Sequence, residues 1–96
     1  MRITVKIDSE DNNLVERRFF EHAAGRDNVA YLMKDSEVNE KILDRYITVV
    51  EKRFYELEKV KSLLSKKYAP EVFNGKAYEY TFDFDDETIT YVAKVD

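Results

Sequence analysis

The sequence predicts an α+β fold in the order β-α-α-β-β: a small antiparallel three-stranded sheet packed on a helical hairpin with one long helix. Three observations predict it. First, Leu43, Ile47, Val50, Phe54, Leu57, Leu64 and Tyr68 fall on 4-3 spacing within an uninterrupted helical signal from Ser36 to Tyr68, and Lys61 is the one polar residue on that seam. Second, Tyr78, Tyr80, Phe82 and Phe84 alternate with polar residues, Asp85-Asp86-Glu87 turns the chain, and Ile89, Tyr91, Ala93 and Val95 alternate again, the signature of a β-hairpin. Third, Ile3, Val5 and Ile7 alternate with Arg2, Thr4 and Lys6, a short strand with one buried face.

The elements follow in order. After the first strand, Asp8 to Asn13 reads as a polar turn. Asn13 is the expected N-cap of a first helix, with Glu16 three residues on completing a capping box. That helix carries Leu14, Val15, Phe19, Phe20 and Ala23. Gly25 is expected to interrupt it, and Asp27 to cap a restart through Val29, Ala30, Leu32 and Met33, giving one kinked helix or two short ones. Asp35 or Ser36 is the expected cap of the long helix. Pro70 ends that helix, because it pushes Ala69 out of helical geometry. Roughly 32 residues at about 1.5 Å each make a rod of about 48 Å. Strands of about eight residues span roughly 27 Å. The long helix therefore overhangs the sheet by something on the order of 20 Å.

Ninety-six residues make a single domain, residues 1–96, with a modest core. A hydrophobic fraction of 44%, with only two Gly and one Pro, argues for a folded chain. The chain has no Cys, which excludes disulfides, thiolate metal sites and a Cys nucleophile. Met1 to Ile7 lacks the apolar run of a signal peptide, and no stretch of the sequence is apolar enough to span a membrane, so the expected location is cytoplasmic. The net charge of −4 is uneven: residues 71–96 carry seven acids against Lys76 and Lys94, a net of −5, and the remainder nets +1. That acidic face disfavours nucleic acid as a partner.

The candidate chemistry is sparse. His22 is the only histidine, set mid-helix beside Phe19 and Phe20 with no Ser or Cys partner, and is read as packing. Asp83, Asp85, Asp86 and Glu87 lack the spaced ligand ladder of a calcium loop and are read as solubilising acids at a hairpin tip. The aromatic face of Tyr78, Tyr80, Phe82, Phe84 and Tyr91 lacks the interleaved Arg and Lys of a base-stacking platform and is read as core. The basic run from Arg53 to Lys67 is read as a solvated helix face. No Walker, Rossmann, zinc or triad pattern occurs, so the expectation is a non-enzyme with no catalytic residues, cofactor or metal.

The segments Asp27-Asn28-Val29-Ala30-Tyr31-Leu32, Phe54-Tyr55-Glu56-Leu57-Glu58-Lys59-Val60-Lys61, Lys67-Tyr68-Ala69-Pro70 and Asp83-Phe84-Asp85 resemble small proteins of anaerobic bacteria encoded beside radical-SAM enzymes that modify ribosomal peptides. The resemblance covers about two-thirds of the chain. It implies a non-catalytic accessory that binds a precursor peptide or the modifying enzyme, and it carries over no catalytic residue. The chain departs from the usual leader-peptide recognition domains, in which a strand pair precedes three helices.

The functional expectation is a non-catalytic protein- or peptide-binding adaptor that forms a homo-oligomer through the overhanging seam. Its partner-binding residues are expected to be Phe54, Tyr55, Leu57, Lys61 and Leu64. An open sheet edge, the first strand (Ile3 to Ile7) or the last (Thr88 to Val95), whichever lies outermost, could accept an extended peptide. Two alternatives use other features. One is an acidic phage-encoded inhibitor or mimic built on the C-terminal charge. The other is a structural assembly component in which the long helix packs in a ring or bundle.

Overall fold

The computed structural model describes residues 1–35, 37 and 39–94. Strand β1 (Arg2–Lys6) leads into helix α1 (Ser9–Met33), which turns back through helix α2 (Glu40–Tyr68). A single 3-10 turn (Glu71–Phe73) precedes the hairpin of β2 (Tyr78–Asp83) and β3 (Thr88–Ala93). The three strands form one antiparallel sheet in the order β1-β3-β2. The expected α+β class and element order are therefore present, with the sheet laid on a helical hairpin.

The order of strands decides between the two candidate edges in favour of the first strand. The last strand is central rather than outermost, with Tyr91 facing Ile3 on one side and Tyr80 on the other. The free edges are β1 and β2. The reason lies in the core: Ile89 and Tyr91 are the fully buried residues of the sheet, and a strand flanked on both sides buries them best. Ile7, Val15, Leu57, Leu64 and Phe73 complete that core. Tyr91 Oη donates a 2.6 Å hydrogen bond to the Ser65 carbonyl, so the phenol's one polar atom is satisfied inside the apolar layer.

The helix starts and the role of Gly25 differ from expectation. Helix α1 begins at Ser9, with extended Asp8 at its cap and Glu10 and Asp11 in the first turn, where carboxylates suit the positive helix end. The Asn13–Glu16 capping box lies inside the helix. Early onset is fixed by tertiary contacts: Asn12 Nδ2 donates to the Phe84 carbonyl at 3.0 Å, and Asp11 accepts hydrogen bonds from Tyr68 and Lys67 of α2. Gly25 does not interrupt α1. It is buried where the helices touch, and a Cβ there would stand 3.1 Å from Val50 Cγ2. Glycine serves close approach at this point. Helix α2 starts at Glu40, capped by the Asn39 side chain, which accepts from Lys41 N at 2.8 Å. Asp35 instead folds its carboxylate onto Glu37 N, and Ser36, the other expected cap, lies outside the described residues. Helix α2 ends at Tyr68, with Ala69 extended ahead of Pro70, as the sequence predicts.

The molecule measures 54 × 29 × 17 Å, and its radius of gyration of 16.9 Å exceeds the roughly 13 Å of a globular chain this size. The cause is a mismatch of lengths. The 29 residues of α2 run about 44 Å, whereas the six residues of β3 cover about 20 Å. The sheet underlies one half of the helix pair and stops.

Candidate functional site

The uncovered half is the distal hairpin, residues 19–33 of α1 and 40–54 of α2. Among the described residues Gly25 is the only buried one in these stretches, so no large side chain is enclosed there. The two helices are held together by near-surface contacts. The ring of His22 lies 5.4 Å from that of Phe54, and Arg53 Nη1 donates to the Glu21 carbonyl at 3.0 Å.

Two apolar faces result. On one, Arg26, Val29, Ala30 and Met33 of α1 meet Ile47, Val50 and Glu51 of α2 around an open groove of about 340 Å³. On the other, Ile42, Tyr46 and Val49 rise along α2 beside Arg45. The groove lies on the sheet side. Phe19, Arg26 and Met33 are spaced by seven residues, which keeps them nearly on one helix line. Phe19 at the start of that line packs on Phe84 of the sheet, with ring centroids 5.5 Å apart. In α2 the line Lys61, Phe54 and Ile47 has the same spacing, and Lys61 lies against Tyr80 and Phe82. The surface that the sheet covers below Phe19 and Phe54 thus continues bare above them.

This geometry divides the five expected partner-binding residues. Phe54 is 50% exposed and Tyr55 68% exposed. Leu57 and Leu64 are 5% and 6% exposed and belong to the chain's own core. Lys61 is half-buried at the sheet boundary, its ammonium 3.2 Å from Glu58. The sequence reading passed over Met33, Val29 and the Ile42-Tyr46-Val49 stripe. The stripe has the 4-3 spacing of the main seam, and that spacing is the signal that could have found it.

The acids at the hairpin tip have a structural task. Asp83 Oδ1 accepts from the backbone N–H of Asp85 and Asp86 at 3.1 and 3.0 Å, which folds the turn and sets Glu87 at φ 56°. No cluster of three or more His, Asp or Glu that could hold a metal occurs among the described residues. None of the described helices is long and apolar enough to cross a membrane. No protein-family model, curated protein or solved structure matches the chain.

Proposed function

We propose that this chain is a non-catalytic protein-binding module, an adaptor whose docking element is the distal helical hairpin. One observation carries this reading: half of the helix pair leaves its apolar side chains uncovered, with Phe54 and Met33 half exposed or more, while the other half encloses a normal core. Contiguous apolar surface on a small chain costs solubility and is a mark of interaction sites. The roles of Leu57 and Leu64 are satisfied in the core, so the docking residues are Phe54, Tyr55 and the groove beyond them.

A photo-crosslinking residue at Phe54 or Tyr55, compared with one at Thr81 on the outer face of the sheet, tests the proposal in the cells that make the protein. A protein adduct of discrete mass from the distal positions and none from Thr81 supports it. Adducts from Thr81 alone, or from no position, overturn it.

A further inference from the structure

The groove on the sheet side is bounded by a step. Below Phe19 and Phe54 the face of the helix pair is occupied by the sheet, and above them it is empty. A body that fills the empty half must be about as thick as the sheet layer it abuts. It must also be apolar where it meets Met33, Ile47 and Val50. The distal hairpin of this same chain meets both conditions, since it is one helix layer thick and bears that same apolar face.

We infer that the occupant of the groove is a second copy of this chain, lapped antiparallel over the first so that the two distal hairpins form a four-helix bundle. The inference rests on the docking role just proposed and names the partner.

Symmetry leaves one arrangement. A face-to-face homodimer closes around a twofold axis lying in the interface. If that axis ran along the helices, both sheets would fall at the same end of the same interface and collide. With the axis across the helices, each sheet falls beyond the tip of the other hairpin. The uncovered stretches 19–33 and 40–54 have Arg26 and Ile47 at their midpoints, and both line the groove. The axis then passes beside them, and Met33 falls opposite the partner's Phe19.

The charges permit it. Residues 19–33 carry Arg26 against Glu21 and Asp27, and residues 40–54 carry four bases against three acids, so −1 and +1 cancel. The distal hairpin is neutral although the chain as a whole carries −4. Arg26, beside the axis, faces the partner's Arg26 across it, and Glu51 on the other wall of the same groove supplies an opposite charge in each copy. The area is that of a weak, reversible dimer, below what a permanent one needs. Fifteen residues of each helix give a footprint of roughly 22 by 20 Å, about 440 Å² before side-chain relief is counted. Stable interfaces begin near 600 Å² of accessible surface per partner.

The pairing of Met33 with the partner's Phe19 gives the test. The chain contains no cysteine, so Phe19→Cys and Met33→Cys can be introduced without background. Within one chain the two positions lie about 21 Å apart along α1, and the antiparallel lap keeps each position about the same distance from its own copy. Neither separation allows a disulfide, which needs Cα atoms closer than about 7 Å. The double variant is expected to oxidise to a covalent dimer while each single variant stays monomeric. In parallel, light scattering on the unmodified chain is expected to rise toward twice the chain mass between about 1 and 500 µM. Equal cross-linking of single and double variants, or a constant monomer mass across that range, overturns the inference. If the distal photo-crosslinker captures only a different protein, the docking reading stands and the self-association falls.

Discussion

Tyr91 of the central strand donates its phenolic hydrogen to the backbone carbonyl of Ser65, across 2.6 Å of otherwise apolar core. Both residues are buried, and the carbonyl belongs to the last turn of α2. The bond is the direct polar tie between sheet and long helix, and burial pushes the Tyr91 hydroxyl up from its usual value, with the neighbouring Tyr78 and Tyr80 adding to the shift.

Tyr91→Phe therefore removes a satisfied hydrogen bond without changing the packed ring. The expected cost is about 1–2 kcal/mol, because the Ser65 carbonyl is left with less than its full complement inside the core. For a chain of this size that lowers the melting temperature by roughly 4–15 °C. Thermal melts followed by circular dichroism measure it. An unchanged midpoint would mean that water replaces the phenol and that the tie contributes nothing.

The base of the helical hairpin holds a second polar tie, and this one titrates. Asp11 accepts hydrogen bonds from Lys67 Nζ at 2.7 Å and from Tyr68 Oη, and Tyr68 Oη accepts from Asp8 N. The bond from Lys67, then that from Tyr68, holds the Asp11 carboxyl below its usual 3.8, while the hydrogen bond to Asp11 raises both Lys67 and Tyr68. The signs give two flanks. With Asp11 depressed in the folded state, its contribution is present above pH 3.8 and is lost as pH falls through the lower folded value. With Lys67 and Tyr68 raised, their contribution is present below about pH 10 and is lost as pH rises through their folded values. Asp11→Asn should flatten both flanks of a stability-versus-pH curve by lowering the neutral region, where the contribution is present, and the loss should be small because the cluster is largely solvated. Flanks as steep in the variant as in the parent chain would remove Asp11 from the account.

The strands and helices were legible because each carries a period, two for β1 to β3 and a 4-3 recurrence for α2. What was not legible is where one element stops covering another. Ile47 and Phe54 share a seam with Leu57 and Leu64, and periodicity alone treats them alike. Only the length of the sheet separates the partly covered Ile47 and the exposed Phe54 from the buried pair. Gly25 was misread for a related reason. Its meaning comes from Val50 on another helix, which local propensity does not contain. The Asn13–Glu16 capping box satisfies a local rule, but Asn12 and Asp11 reach Phe84 and Tyr68 only if the helix has already begun. The strand order was open because β1 can pair with either strand of the hairpin, and the burial of Ile89 and Tyr91 decides it.

The same division of α2 predicts unequal stability along one continuous helix. Amides near Leu57, Leu64 and Tyr91 sit over the enclosed core and should exchange only through global unfolding. Amides of residues 26–33 and 40–50 close helical hydrogen bonds over a half with no enclosed large side chain, and opening there exposes little that is not exposed already. In dilute solution the distal amides should exchange with an opening free energy lower by about 2 kcal/mol or more. Because association covers the bare faces, this deficit should shrink as protein concentration rises, while the amides over the core stay constant. Native-state hydrogen exchange at two concentrations measures both effects. Uniform protection along α2 at low concentration would mean that the two helices stabilise each other without any cover, and the bare faces would then need no partner to explain them.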